Sequence, residues 1–240
     1  MLRTLPAVLI FACSQPPEQH ATTSQCGDCA DPADTDGDGL SDDLELELGT
    51  DPEDPDTDDD RWSDGEEVDQ FTDPLSRADH PYLGGWRIDA CRNDDSQTDV
   101  DNLAPELALE DQFGDVVDLR DFCDQVVLIV ATSGRYSREY LANDTWSEYW
   151  EDYHDRGFMM MGLLVETDEG ANPKRHDVVK IVDDFDVDYA YVHDTDWEAV
   201  NSLVPEDQNS IGLPYQVLID RGVVHMTGQW VSQNDIEDLL

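Results

Sequence analysis

Val126-Val127-Leu128-Ile129-Val130-Ala131-Thr132 is an unbroken apolar, β-branched run, and Ser133-Gly134-Arg135-Tyr136-Ser137 follows it directly. A short run with no alternating polar residues reads as a strand buried on both faces. Downstream, the pattern predicts a helix from about Ser137 to Asp155, closed by Gly157 as a C-terminal cap. Trp146, Tyr149, Trp150 and Tyr153 fall at i, i+3, i+4 and i+7, the face of a helix packed on a sheet. Phe158 to Val165 is the next buried strand, 174–184 a helix, Tyr189 to His193 a short strand and 196–203 a short helix. Tyr215 to Asp220 and Val223 to Gly228 flank the turn Arg221-Gly222 as antiparallel partners, and 232–240 suits a closing helix. Upstream, Val116 to Leu119 is a short strand. Strands alternating with helices, then a terminal hairpin, define an α/β domain with a mixed sheet over 103–240.

Several of these segments carry a resemblance. Ala104-Pro105-Glu106-Leu107 with Leu109, then Gly114-Asp115-Val116-Val117-Asp118-Leu119, resemble the opening of thioredoxin-like redoxins of the TlpA and AhpC/TSA type. Val126 to Ala131 resembles their first central strand, and Arg156-Gly157-Phe158 with the methionine-rich run behind it resembles the next. Gly212-Leu213-Pro214 and the strand to Asp220 resemble the family's cis-proline segment. The resemblance covers about residues 103–240 and keeps the element order. It implies a thioredoxin-like mixed sheet flanked by helices, with Pro214 cis and facing the active-site loop; without the resemblance the bond is trans by default.

The family carries a Cys-x-x-Cys where the first strand meets its helix, and the first cysteine works as a thiolate at the helix N-terminus. Here Gly134 and Ser137 stand at those two positions. Neither can form a disulfide. Ser137 is a poor nucleophile without a base beside it, and reads as a helix N-cap. No catalytic residue is assigned, and enzymatic activity is left open. The domain is expected to have a binding or structural role, with a protein or peptide bound near Arg135, Tyr136 and Pro214; the alternative is a thiol-disulfide oxidoreductase or peroxide-reducing redoxin that draws its thiols from Cys26 and Cys29 or from a reduced Cys91 and Cys123.

A second pattern precedes this domain. Residues 34–45 read Asp-Thr-Asp-Gly-Asp-Gly-Leu-Ser-Asp-Asp-Leu-Glu. Carboxylates fall at loop positions 1, 3, 5, 9 and 12, namely Asp34, Asp36, Asp38, Asp42 and Glu45. Gly39 stands at the sharp turn, and Leu40 at position 7 offers a backbone carbonyl. An oxygen-rich loop of this spacing suits calcium, with the glutamate closing the site. The pattern recurs 22 residues later in Asp56, Asp58, Asp60, Trp62, Asp64 and Glu67, with Arg61 in place of the turn glycine. Arginine is strained where the chain must turn this way. Thr50-Asp51-Pro52 and Thr72-Asp73-Pro74 repeat at the same interval. The repeats resemble the thrombospondin type 3 repeats of bacterial surface proteins, which implies a calcium-stiffened spacer.

The N-terminus holds Arg3 and then the uncharged run Leu5 to Ala12, too short for a membrane span and suited to a signal peptide. Ile10-Phe11-Ala12-Cys13 resembles the lipobox of bacterial lipoproteins, which implies lipidation of Cys13 and a membrane anchor on a face of the cell envelope. Residues 1–12 are then signal peptide, 13–30 tether, 31–80 calcium module, 81–102 linker and 103–240 the thioredoxin-like domain. Cys26, Cys29, Cys91 and Cys123 remain as disulfide candidates, with three pairings open and Cys91–Cys123 attractive because such a bridge would pin the leading segment of the C-terminal domain. Cys26-Gly27-Asp28-Cys29 lies in an acidic tether, where the thiolate is disfavoured. The net charge is −45, from 58 acidic and 13 basic residues, which excludes nucleic acid as a partner. The six histidines are scattered without metal-ligand spacing.

Overall fold

The computed structural model describes residues 33–93, 102–141, 145–205, 208, 211–228 and 230–240. Cys13, Cys26 and Cys29, and with them the expected signal peptide and tether, lie outside the described residues.

Two short helices follow the two acidic loops: α1 (Asp42–Leu48) and α2 (Asp64–Asp69). Each starts on a serine cap. Ser41 accepts from the N–H of Leu44, and Ser63 exchanges hydrogen bonds with Glu66 in a capping box. Each repeat then closes alike, the Thr50 hydroxyl donating to the carbonyl of Glu45 and the Thr72 hydroxyl to that of Glu67. The 22-residue sequence repeat is therefore a repeat of hydrogen bonds.

The remainder is an α/β domain. A hairpin of β1 (Ala108–Glu110) and β2 (Val116–Asp118) precedes β3 (Val126–Ser133), α3 (Gly134–Leu141), α4 (Thr145–Tyr153) and β4 (Phe158–Glu166). Then come α5 (Arg175–Phe185), β5 (Ala190–His193), α6 (Glu198–Ser202), β6 (Tyr215–Asp220), β7 (Val223–Gly228) and α7 (Gln233–Glu237). The main sheet has the order β5-β4-β3-β6-β7, with β3, β4 and β5 parallel and β6 and β7 antiparallel to their neighbours. All eight residues of β3 are buried, as its apolar composition requires. Val126, Leu128 and Val130 pack under Leu141, Trp146, Tyr153, Val178 and Ile236 from the helices. Val127, Ile129 and Ala131 face the hairpin residues Leu107 and Val117 and the helix residues Ala199 and Val200. The expected mixed sheet flanked by helices is what the chain forms.

Three local expectations are corrected. The helix foreseen from Ser137 to Asp155 comes as two, α3 and α4. Because α3 starts at Gly134, Ser137 lies inside its first turn, where its hydroxyl donates to the carbonyl of Ser133 at 3.0 Å; it is not the N-cap. The segment from Tyr82 to Ile88, read as linker, supplies Tyr82, Trp86 and Ile88 to the core. The physical reason is burial, since three large side chains leave water there.

Candidate functional site

Each acidic loop turns its first three aspartates inward. Ligand oxygens of Asp34, Asp36 and Asp38 all lie within 4.8 Å of one another, and those of Asp56, Asp58 and Asp60 do the same. Glu45 and Glu67, at the ends of the loops, are fully buried. Among the described residues ten buried side-chain oxygens or nitrogens have no hydrogen-bond partner, and seven are carboxylate oxygens of these two loops. Both oxygens of Glu45 and both of Glu67 are among the seven, with Oδ2 of Asp36, Asp58 and Asp60. A buried carboxylate oxygen facing only other carboxylates is costly unless a cation meets it. The donor set is all oxygen and strongly anionic, which fits a hard divalent ion such as calcium. Burial, reinforced by Asp36, Asp38 and Asp42, pushes the Glu45 carboxyl up to about 7; burial, reinforced by Asp60, Asp58 and Asp64, pushes Glu67 up to about 8.

The other loop positions hold the shape. Both oxygens of Asp42 accept from Thr35, from the N–H at 2.9 Å and the hydroxyl at 2.8 Å. Asp64 does the same with Thr57, at 3.0 and 2.7 Å. These two aspartates clamp the loop start to the helix start. Leu40 and Trp62 are tied in through N–H bonds to Oδ1 of Asp38 and Asp60, at 2.8 and 2.9 Å. Gly39 turns with φ +104°, and Arg61 adopts φ +95° at the same place. The left-handed conformation expected of Arg61 is therefore forced on a residue with a side chain.

At the end of β3 the domain presents a different arrangement. Tyr215 pairs with Ala131, so Pro214 stands level with Thr132 beside the start of α3, and the Leu213–Pro214 bond is cis. Three buried hydroxyls meet there. Thr132 Oγ1 lies 2.7 Å from Ser137 Oγ and 2.9 Å from the Tyr191 hydroxyl, which is 2.9 Å from Ser137. These partners include no base to take the Ser137 proton, and the residue is fully buried. Gly134 is buried beneath the loop after β4. A Cβ on Gly134 would lie 2.8 Å from the backbone nitrogen of Asp168 and 3.0 Å from its carboxylate. Arg135 and Tyr136 are exposed on the first turn of α3.

Cys91 and Cys123 form a disulfide, one of the pairings open from sequence. Asp89, 5% exposed, has a carboxylate oxygen within 4.8 Å of both sulfurs. Arg92, next in the chain to Cys91, pairs with Asp79 and with Asp121, both at 3.0 Å, and so ties the segment after the acidic repeats to the α/β domain. Arg77 reaches back to the carbonyl of Asp58 and to the Asp59 carboxylate. Neither arginine has a sequence signal beyond its charge.

The family model of the bacterial TSP3 repeat matches residues 34–55. Among solved structures, a putative thiol:disulfide interchange protein DsbE from Chlorobium tepidum is similar at 21% identity, covering 57% of this chain and 90% of that one, with a TM-score of 0.45. A thioredoxin family thiol:disulfide interchange protein from Chlorobium tepidum TLS is similar at 15% identity over 57% of this chain and 95% of that one, TM-score 0.48. A putative protein disulfide isomerase from Bacteroides thetaiotaomicron is similar at 18% identity over 58% and 84%, TM-score 0.45. No curated protein matches the chain. The thioredoxin-like description of the domain rests on its own strand order, the connection of β3 to α3 and the cis-proline strand.

Proposed function

We propose that this chain is a calcium-binding lipoprotein of the cell envelope whose thioredoxin-like domain binds a partner instead of reducing disulfides. The observation that carries the calcium half is the set of seven buried carboxylate oxygens without donors in the two loops. Asp34, Asp36, Asp38 and Glu45 would hold one ion and Asp56, Asp58, Asp60 and Glu67 another, with Leu40 and Trp62 offering carbonyls and Asp42 and Asp64 fixing the loops. Calcium would supply charge neutralisation and so stiffness, making the module a spacer. The lipobox-like Ile10-Phe11-Ala12-Cys13 supports lipidation at Cys13 and anchoring to a membrane face. Among the described residues no helix is long and apolar enough to cross a membrane.

The observation that carries the non-catalytic half is Gly134, where the neighbouring loop leaves no space for a side chain, with Ser137 locked among hydroxyls. The exposed Arg135 and Tyr136, with Pro214 behind them, offer a surface for a protein or peptide. A second reading keeps oxidoreductase activity and assigns it to other cysteines; what favours it is the presence of the Cys91–Cys123 disulfide. Turnover of a model disulfide substrate by the full chain, with calcium, separates the two. The binding reading expects none in the wild type. Turnover that vanishes in a Cys91→Ser/Cys123→Ser or a Cys26→Ser/Cys29→Ser variant would install the second reading and name its dithiol.

A further inference from the structure

The two loops differ at one carboxylate. Asp38 and Asp60 occupy the same loop position, yet Asp60 Oδ2 is buried with no partner, whereas Asp38 Oδ2 accepts the backbone N–H of Gly65 at 2.8 Å. Gly65 is the second residue of α2, 27 positions along the chain and in the other repeat. The approach is close enough to dictate the residue. A Cβ on Gly65 would stand 2.3 Å from the Asp38 carbonyl oxygen. The equivalent position in the first repeat holds Asp43, which is exposed. Beside Gly65, the fully buried Asp64 is near enough to both Glu45 and Glu67 to bear on the charge of each.

A six-residue helix does not hold itself together in water. The carboxylates of the loop before it, Asp56, Asp58 and Asp60, and Glu67 within it repel one another without a cation. Gly65 therefore presents its N–H to Asp38 only when the second loop is ordered. We propose that the second repeat completes the first site through Gly65, so that the two loops bind calcium as a coupled pair and loss of the second site weakens the first. The proposal rests on the calcium reading of the loops. The coupling runs both ways by linkage.

The test is a calorimetric calcium titration of the full chain, with terbium in a parallel titration. Trp62 lies in the second loop, so terbium luminescence excited through it reports occupancy there. Two variants are compared with the wild type. Glu67→Gln keeps the side-chain shape and removes a charge from the second site. Gly65→Ala keeps every ligand of both sites and blocks the approach to Asp38. The proposal expects first-site affinity to fall at least about five-fold in each, with the Trp62 terbium signal lost in Glu67→Gln. It is overturned if Glu67→Gln still binds one ion with wild-type affinity, or if Gly65→Ala matches the wild type at both sites. A wild type that binds two ions independently overturns the coupling alone; a wild type that binds none overturns the calcium reading with it.

Discussion

Asp168 stands so close to Gly134 that a Cβ on the glycine would lie 2.8 Å from the aspartate's backbone nitrogen. This contact closes the position at which a redox thiol would sit on α3. Reinstating cysteines should therefore fail for want of space. The double variant Gly134→Cys/Ser137→Cys is expected to show no disulfide-reductase turnover. Gly134→Ala alone should cost about 1–3 kcal/mol of stability through overpacking. Urea unfolding measures this, and an unchanged midpoint would show that the loop yields freely.

The hydroxyl triangle beneath that position is structural. Tyr191→Phe removes one hydroxyl and leaves Thr132 and Ser137 paired at 2.7 Å. A loss of about 1 kcal/mol is expected for a buried hydrogen bond of this kind. A loss well above that, read from the same unfolding curves, would mean the ring itself shifts.

Arg61 holds a left-handed conformation that its counterpart Gly39 adopts freely. Arg61→Gly should relieve about 1 kcal/mol of backbone strain. Its N–H bond to Asp56 Oδ2, at 2.9 Å, does not depend on the side chain. Terbium luminescence through Trp62 should then show tighter binding at the second loop. Weaker binding would assign the Arg61 side chain a role in the site.

Calcium binding should depend on pH near neutrality. Burial first, and then the neighbouring carboxylates, raise Glu45 to about 7 and Glu67 to about 8. A carboxyl raised on folding stabilises the ion-free fold below its unfolded pKa, and that stability is lost as pH rises through the folded value. The ion-free module should therefore be steadier near pH 5 than at pH 9. Calcium must displace those protons, so affinity should climb between about pH 6 and 9 and level off above. Calorimetry at several pH values, in buffers of different ionisation heat, counts the protons released. A flat profile with no proton release would remove these glutamates from the site.

Much of this architecture is legible in the chain because its signals are local. β3 announces itself in six consecutive apolar residues, and the acidic loops in carboxylates at fixed spacing repeated at 22. The Trp146–Tyr153 face emerges as Trp146 and Tyr153 buried, with Tyr149 and Trp150 packed at the cluster's edge. The misses are contacts between distant segments. Nothing near Gly134 in sequence signals Asp168, and Tyr191 lies 54 residues from the Ser137 it touches. Tyr82, Trp86 and Ile88 look like linker residues because their partners are supplied by the hairpin and the strand beyond it. Gly65 did carry a signal: it stands where the first repeat has Asp43. Reading that difference as a close approach needed the position of Asp38.

The two loops act as calcium sites or the module has no stiffening ligand. Equilibrium dialysis of the full chain, beside a Glu45→Gln/Glu67→Gln variant, tests this directly. The expected result is two calcium ions per wild-type chain at millimolar free ion and a clear loss in the variant. No bound calcium in the wild type at that concentration would contradict the account and leave the seven buried oxygens to some other cation.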